Sequence, residues 1–530
     1  MNLINDAWIP VIRKSGPDFI RPWEITDTSN PVLSLNLTRP DFNGSMVQFL
    51  IGLFQTVLMP KNEKEWEINF KKPPTPEELK KACQIYQHAF NLGGDGPRFM
   101  QDLKLSEDNK DIKPLASLLI DEPGENTLKN NGDLFIKRHR AKAMSLPFVA
   151  VSLFTLQLNA PSGGSGHRTS LRGGGPLTTL AISKDPEHQR LWDLVWMNIL
   201  SKESAKELFK ASDTYHFDDI NILDSDIFPW LAPTKTSEDT QVVRPQDTHW
   251  LQLYWGMPRR IKLRFDSKNF GTCPISGQPN SDLLTEYVTK NYGINYLQWK
   301  HPLSPYYKNK DEWLPLHPNV GGMTYKHWLG WTIGSDDKSS QALIIKTCAN
   351  RYGVRAKYHP QLWAFGYDMD NMKARGWQEA KMPLLNFESQ EMETAFRSIV
   401  ILILGATEEV VKNLKGTIKK AWGVDKGGIG FVESEFWQTT ENQFYELLDE
   451  IRVLLQGNTG DNAPELRRQW HTLITKKALE IFDYWVMSSD ISLENTQKII
   501  SERKNLQKFN YSKSISAALC LVKKSNKEVN

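Results

Sequence analysis

The pattern of apolar and polar positions changes once along the chain, near residue 388. Before that point, short apolar runs such as Phe148–Leu158 and Ile261–Phe265 are separated by Pro and Gly. This pattern is typical of short strands, connecting loops and a few helices. Met46–Leu58 is apolar on most sides, which predicts a buried helix. We therefore predict a large mixed α/β domain over residues 1–388.

After that point the apolar positions recur at helical spacing. Pro464 suits the first turn of a helix, and Asp490 or Ser492 offers an N-cap for the last one. Four helices with short connections predict an up-down bundle over residues 389–530. The predicted fold class is therefore α+β, with a mixed α/β N-terminal domain followed by a C-terminal four-helix bundle. The four predicted helices are residues 391–421, 434–456, 464–487 and 493–523.

Composition indicates a folded protein without a membrane span. Hydrophobic residues make up 40% of the 530 positions, enough for a large core, which excludes a mainly disordered chain. The net charge of +3 identifies no partner by itself. No signal-peptide pattern opens the sequence, and its longest aliphatic run, Ile399–Leu404, is too short to cross a bilayer. We expect a soluble, cytoplasmic protein that does not bind membranes.

Motifs of common enzymes and metal sites are missing from the sequence. It contains no GxxxxGK[ST], HExxH or GxSxG segment, and its four cysteines form no CxxC pair. The spacing of six histidines fits no metal site. We therefore predict no catalytic residue, no metal and no cofactor. These histidines are His139, His167, His249, His301, His327 and His359.

The most unusual segment is Ala160–Pro176, which combines six glycines with Arg168 and Arg172. Glycine lets the backbone approach a ligand closely, and exposed amides in such a turn can donate to a phosphate or a base edge. The two arginines suit an anionic partner and are candidate contacts with the DNA backbone. A flexible surface loop is the alternative explanation for a Gly/Ser stretch.

Basic residues cluster at two further places. Lys137–Lys142 holds four fixed positive charges just after Phe135, a combination that suits contacts with phosphates and a stacked base. Lys412, Lys415 and Lys419 share one helical face and would form a track for a sugar-phosphate backbone. Solvated charge runs are the alternative at both places.

Several segments, in the same order from residue 2 into the predicted bundle, resemble one family. This family is CasA, the large subunit of type I-E CRISPR Cascade complexes, which are crRNA-guided DNA surveillance machines. The combination is specific, although each motif alone would be weak. The matching segments are Asn2–Val11, Pro97–Gln101, Ser170–Thr179, Leu253–Trp255, His301–Pro305 and Glu433–Tyr445.

The resemblance implies a non-catalytic subunit with several partners. It would recognise the protospacer-adjacent motif (PAM) in double-stranded DNA through the minor groove, promote strand opening and R-loop formation, and recruit a helicase-nuclease. The sequence beyond the PAM would be read by pairing with the crRNA. The implied partners are crRNA, target double-stranded DNA, the helicase-nuclease, and the backbone, small, handle-binding and crRNA-processing subunits.

The resemblance also implies three elements that contact the PAM. A glycine loop falls on Ser162–Gly166, and its amides would reach base edges of the degenerate minor groove. A lysine finger corresponds to Thr272, with Lys268 four residues earlier. A wedge corresponds to Asn371, where the family has glutamine, and Met372 adds an apolar side chain that could unstack bases. An ordinary polar turn is the alternative for this stretch. The predicted PAM-binding residues are Gly163, Gly164, Gly166, Lys268, Thr272, Asn371 and Met372.

A further family element corresponds to the first basic cluster. Phe135, Lys137, Arg138 and Arg140 would contact the crRNA 5′ handle and the neighbouring backbone subunit. Some family members carry a cysteine knuckle near the finger. Cys273 has no second thiol nearby, so zinc is not expected.

Two other classes of function remain open from the sequence. One is a nucleic-acid-processing enzyme that uses the basic N-terminal domain. The other is a carbohydrate-binding protein, because the chain contains 18 tryptophans, whose rings could stack against sugars. The glycine–arginine segment does not favour the second.

Overall fold

The structure is a computed structural model, and its two compact units are considered separately. It describes residues 1–106, 111–133, 141–185, 190–209, 222–238, 240–265, 269–334, 338–351, 359–370, 372–423, 428–487 and 493–519. The first unit comprises Met1–Pro318 and Asp337–Lys381, and the second comprises Asn319–Asp336 and Met382–Asn530.

The strands lie in the first unit, except for the last two residues of the final strand, and they pair both in hairpins and between segments distant in sequence. The strands are β1 Ile9–Arg13, β2 Gly16–Ile20, β3 Val32–Leu35, β4 Ile112–Pro114, β5 Met144–Ser145, β6 Thr178–Ile182, β7 Arg260–Leu263, β8 Asn269–Thr272, β9 Pro279–Leu284, β10 Glu286–Lys290, β11 Tyr306–Asn309, β12 Glu312–Pro315, β13 Ser339–Ser340, β14 Gln361–Asp370 and β15 Lys373–Pro383. The described residues form five three-stranded sheets, with strand orders β2-β1-β3, β4-β10-β7, β12-β11-β13, β15-β14-β6 and β5-β9-β8.

Helices of varied length pack between these sheets. The longest in the first unit is α1, which begins at Pro40, where the fixed φ of proline suits a first helical position. The helices here are α1 Pro40–Val57, α2 Glu63–Lys71, α3 Pro76–Gln84, α4 Glu125–Lys129, α5 Leu146–Asn159, α6 Leu191–Met197, α7 Lys202–Ala205 and α8 Asp224–Ile227. Residues 319–336 of the second unit carry α9 Trp328–Thr332, and the first unit resumes with α10 Leu343–Asn350.

The core of the first unit is built around α1. The ring of Phe49 meets those of Trp8, Phe154 and Trp255 edge-on, with centroids 5.4, 5.6 and 5.8 Å away. This geometry is one that aromatic quadrupoles favour. The predicted buried helix at 46–58 is confirmed, and it starts six residues earlier.

One of the short apolar runs forms a helix. Phe148–Leu158 lies inside the buried helix α5 and is not a short strand. A run that is apolar on every side carries no periodicity, so a buried helix and a buried strand give the same pattern. Its eleven residues are long for a strand, and Pro147 at the helix start was the available signal.

The second unit contains the C-terminal helical region. The long helix α11 packs along its neighbours α13, α14 and α15. Pro464 begins α14, as predicted, whereas the N-cap candidates Asp490 and Ser492 lie outside the described residues. The α+β class with a C-terminal helical region is therefore confirmed. The helices are α11 Gln390–Trp422, α12 Gly430–Thr439, α13 Glu441–Gly457, α14 Pro464–Met487, α15 Leu493–Asn510 and α16 Lys513–Ala518.

Two predicted helices are each divided in the structure. The second breaks at Thr440, whose hydroxyl donates to the Phe436 carbonyl oxygen and lies 2.9 Å from the Tyr325 hydroxyl. The last breaks between Asn510 and Lys513. Tyr325 also stacks on Phe444 at 4.2 Å, so residues 319–336 pack within this unit although they precede residue 388.

No helix in the described part of the chain is long and apolar enough to cross a membrane.

Candidate nucleic-acid interface

The glycine loop, Ser162–Gly166, is held by a turn that follows β10. The Tyr292 amide donates to the Gly166 carbonyl oxygen at 2.8 Å, and the Asn291 side-chain amide donates to the Ser165 carbonyl oxygen at 2.7 Å. Gly166 has φ of +78°, a conformation that L side chains rarely adopt. The loop is therefore a defined turn, which argues against the alternative of an untethered Gly/Ser stretch.

Arg259 joins the two ends of the loop. Its guanidinium donates to the Pro161 carbonyl oxygen and to His167 Nδ1, the latter at 2.5 Å. Gln157 on α5 fixes the backbone of Arg259, because its side-chain amide accepts from the Arg259 N–H at 2.9 Å and donates to the Arg259 carbonyl oxygen at 3.0 Å. The segment before β7 thus positions the loop from behind.

The three glycines of the loop have different surroundings. A Cβ at Gly163 would lie 2.6 Å from the His167 ring, and one at Gly166 would lie 3.0 Å from the Tyr292 ring. Gly164 is exposed, and a Cβ there would meet nothing within 4 Å. Of these three glycines, therefore, Gly164 is the one whose backbone faces open space where another molecule could approach.

The two arginines of the glycine-rich segment have internal partners. Arg168 Nε donates to Ser237 Oγ at 2.7 Å. Arg172 is buried, and its guanidinium donates to Gln48 Oε1 at 2.6 Å and to two hydroxyls, Thr178 Oγ1 and Ser304 Oγ, at 3.0 and 3.1 Å. Burial lowers the pKa of Arg172 to about 10.

The burial of Arg172 corrects one prediction. This side chain was expected to contact the DNA backbone. Its relative exposure is only 3%, and its guanidinium donates hydrogen bonds to Gln48, Thr178 and Ser304. Its chemistry fits a structural anchor for residues 170–176. Charge alone predicted an exposed residue, and two of the three partners that bury it, Gln48 and Ser304, come from distant segments.

A β-hairpin formed by β14 and β15 carries the predicted wedge. Its tip is described at Met372, which is 56% exposed, and the predicted wedge residue Asn371 lies outside the described residues. Near its base, the Tyr367 hydroxyl donates to Asp41 Oδ2 at 2.7 Å, and Arg39 holds the same carboxylate at 3.0 Å. Burial and the Asp41 charge raise the pKa of Tyr367, so the phenol keeps the proton that it donates.

Arg375 compensates the acidic residues beside the tip. Its guanidinium donates to both oxygens of Asp368, at 2.6 and 3.0 Å, and lies 3.3 Å from Asp370. These hydrogen bonds raise the pKa of Arg375. The two carboxylates would repel phosphates, and the arginine offsets part of that repulsion. A two-residue connection between β14 and β15 already places residue 375 opposite residue 368, which was the available signal in the sequence.

The glycine-rich segment packs against this hairpin. A Cβ at Gly174 would lie 3.1 Å from Pro161 Cα, and one at Gly175 would lie 2.8 Å from the Tyr367 carbonyl oxygen. On the other side, a Cβ at Gly366 would lie 2.6 Å from the Pro176 carbonyl oxygen. Glycine is therefore required for this close approach. The start of the glycine loop and the hairpin lie on either side of residues 174–175.

The predicted finger lies on an edge strand. Thr272 is exposed at the end of β8, and Lys268 lies outside the described residues. Phe270 is 82% exposed and shares the outer face of β8 with Thr272, because a Cβ at Gly271 would point to the buried Leu283. Phe270 was not among the predicted residues, although alternation along the strand could have indicated it.

The predicted lysine track in the second unit is partly neutralised. Lys415 Nζ lies 2.5 Å from Glu433, which also lies 3.4 Å from Lys326. Lys412 pairs with Glu409 at 3.2 Å, and Lys419 is half-buried. A contact between this face and DNA stays a prediction, and the carboxylates weaken it.

The predicted crRNA-handle residues Phe135, Lys137, Arg138 and Arg140 lie outside the described residues. Within the described ranges, no group of three or more His, Cys, Asp or Glu side chains is arranged to hold a metal ion. Cys83, Cys273 and Cys348 are buried free thiols.

Comparison with known proteins identifies related sequences and folds. The model of the family described as CRISPR-associated protein Cse1 matches residues 2–481. Thermus thermophilus CasA (Cse1) is 15% identical with a TM-score of 0.70, over 96% of this chain and 99% of that chain. Thermobifida fusca Cse1 is 14% identical with a TM-score of 0.68, over 99% of both chains.

A chain of a CRISPR RNA-guided surveillance complex is also similar. It is 14% identical with a TM-score of 0.67, over 96% of this chain and 99% of that chain. At these identities the structural likeness establishes a shared fold along nearly the whole length.

Proposed function

This chain belongs to the CRISPR-associated protein Cse1 family, and on that premise we propose that it is the non-catalytic large subunit of a crRNA-guided type I-E Cascade complex. Its partners are crRNA, target double-stranded DNA and the other Cascade subunits. It recognises the PAM, promotes strand opening and recruits the helicase-nuclease. The structural likeness to a chain of a CRISPR RNA-guided surveillance complex supports membership of such an assembly.

One observation carries the proposal that this chain reads and opens DNA. Gly174 and Gly175 are consecutive residues, and they approach Pro161 at the start of the glycine loop and Tyr367 in the hairpin, respectively. Two consecutive Cα atoms are about 3.8 Å apart. A loop with an open backbone at Gly164 and a tip with an exposed Met372 can therefore engage one stretch of duplex.

The chemistry of each part suits a separate step. The minor groove presents a largely degenerate pattern of acceptors, so main-chain amides at Gly164 would recognise several related PAMs. The apolar side chain of Met372 would enter beside the first base pair and unstack it. Unstacking costs a few kcal/mol per step, which pairing of the released strand with the crRNA offsets.

The contact with the crRNA handle rests on the resemblance alone. Replacing Lys137, Arg138 and Arg140 together with Ala should loosen the subunit from the assembled complex, because phosphate contacts would be lost. Co-purification and salt-resistance of the assembly measure this effect. Retention of the variant at wild-type level over a salt series would contradict the assignment.

Strand opening on defined duplexes tests the proposal. The complex, assembled with its other subunits and a crRNA, should make thymines beside the PAM reactive to permanganate on a PAM-bearing duplex only. Equal reactivity on a duplex without a PAM would contradict it. Metal-dependent cleavage of nucleic acid by the purified chain alone would favour the alternative of a processing enzyme.

A further inference from the structure

Arg259 and His167 form a contact that fixes a protonation state. An arginine guanidinium carries donors only, so His167 Nδ1, 2.5 Å away, must accept the hydrogen bond. The imidazole must then be neutral, with its proton on Nε2. Partial burial, followed by the charge of Arg259, lowers the pKa of His167. Both the hydrogen bond and the local electrostatics therefore favour the neutral ring.

The same contact shapes the glycine loop. Gly163 packs so closely on the His167 ring that a Cβ would lie 2.6 Å from it, and Arg259 also donates to the Pro161 carbonyl oxygen. The backbone of Arg259 is in turn held by both polar groups of the buried Gln157 side chain. The loop is therefore supported by a series of contacts that runs from Gln157 through Arg259 to the imidazole of His167.

The other described groups around this contact are uncharged, so Arg259 is the main charge that acts on His167. The turn at residues 291–292 contributes the amide of Asn291 and the hydroxyl of Tyr292, which lies 3.4 Å from Ser165 Oγ. Tyr287 on β10 is buried with its pKa raised, so it is neutral beside Arg259. Among the described groups, Arg259 is the only charge that shifts the pKa of His167.

We propose that Arg259 is a positioning residue for PAM recognition, and that it holds the glycine loop in its DNA-reading conformation only while His167 is neutral. This inference rests on the proposed function of the loop. Protonated His167 would be a donor facing a donor and a cation facing a cation. The contact would break, and Pro161 and His167 would no longer be held together.

The sign of the pH effect follows from that geometry. At about pH 7.5 the ring is neutral and the loop is held. As the pH falls through the lowered pKa of His167, in a titration down to about pH 5, protonation releases the loop, and recognition of the PAM weakens. Attraction to phosphates in general does not weaken, because the protonated ring adds a positive charge. Specific and nonspecific affinity should therefore separate on acidification.

The test measures PAM discrimination, the ratio of the affinities of the assembled complex for duplexes with and without a PAM. It uses wild type, Arg259→Gln, Arg259→Lys and His167→Gln at the two pH values. Wild type should lose about tenfold in discrimination at the lower pH, the scale of one hydrogen bond to a charged group. His167→Gln should show no pH dependence, since glutamine can accept the same bond without titrating.

The arginine variants separate positioning from folding. Arg259→Gln should discriminate about tenfold less than wild type at both pH values. Arg259→Lys, which keeps the charge and a donor, should recover part of the loss. If Arg259→Gln does not fold, the His167→Gln variant still decides the matter, because a pH dependence retained in it would overturn the proposal. A pH-independent wild type would overturn it as well.

A control variant distinguishes this inference from the proposed function. Gly164→Asp adds a side chain whose Cβ meets no atom within 4 Å, so it leaves the contact between the Arg259 and His167 side chains in place. If Gly164→Asp leaves PAM discrimination unchanged, the loop does not read the PAM and the proposed function fails. If Gly164→Asp removes discrimination while Arg259→Gln and acidification do not, only the positioning role of Arg259 fails.

Discussion

Gly164→Asp is the most informative single change in the glycine loop. A side chain at this position meets no atom within 4 Å, and the residue does not adopt a left-handed φ. Surface substitutions of this kind change the free energy of unfolding by less than about 0.5 kcal/mol. Gly166, in contrast, has φ of +78°, so any substitution there would mix backbone strain with a loss of contacts.

The expected loss of DNA affinity follows from the added charge. A carboxylate about 4 Å from a phosphate is repelled by about 1 kcal/mol in bulk water and by about 4 kcal/mol at the effective dielectric of a protein surface. Each 1.4 kcal/mol is about a factor of ten in affinity. Affinity for a PAM-bearing duplex should therefore fall between about fivefold and about a thousandfold.

The assay is a binding titration of the assembled complex at two salt concentrations. Gly164→Asn is the matched control, because it adds the same volume without the charge. The repulsion should shrink at higher salt, since ions screen exposed charges. Aspartate and asparagine variants that both bind like wild type would show that the loop does not face DNA. A loss of thermal stability in the aspartate variant would contradict the claim that a side chain at position 164 meets no other atoms.

Three other predictions concern the hairpin. Gly366→Ala should lower the free energy of unfolding by about 1–3 kcal/mol, because its Cβ would clash with a rigid carbonyl group; thermal unfolding should leave the control Gly376→Ala near wild type, as its Cβ meets open space. Arg375→Gln should reduce strand opening by exposing two uncompensated carboxylates to phosphates, and Arg375→Lys should restore part of it; equal permanganate reactivity of all three proteins would oppose this role. Asn371→Ala combined with Met372→Ala should leave PAM binding intact and reduce opening, and undiminished thymine reactivity would place the wedge elsewhere.

Helical periodicity made the C-terminal region predictable. Each of its long helices has one buried face, so the spacing of apolar residues along the sequence predicts where these helices lie. The break at Thr440 was missed because apolar spacing continues through it, and the contact with Tyr325 that accompanies it comes from more than a hundred residues earlier. Similarly, the run inside α5 is buried on every side and has no period to read.

The candidate site was predictable where composition was unusual and not where it depended on tertiary contacts. Six glycines in one segment indicated a backbone that approaches other atoms closely, which the structure places around residues 174–175. Arg259 supports that loop from about 90 residues away, and no local pattern marks it. Arg172 was misassigned for a related reason, because the groups that bury its charge are distant in sequence.

The claim that the glycine loop and the hairpin tip act on one stretch of DNA can be measured by site-specific crosslinking. A photoreactive side chain would be placed at Ser165 in one protein and at Met372 in another, each assembled with crRNA and a PAM-bearing duplex. We predict crosslinks to the PAM from position 165 and to the adjoining base pair from position 372. Crosslinks to well-separated sites, or to DNA irrespective of the PAM, would contradict the account.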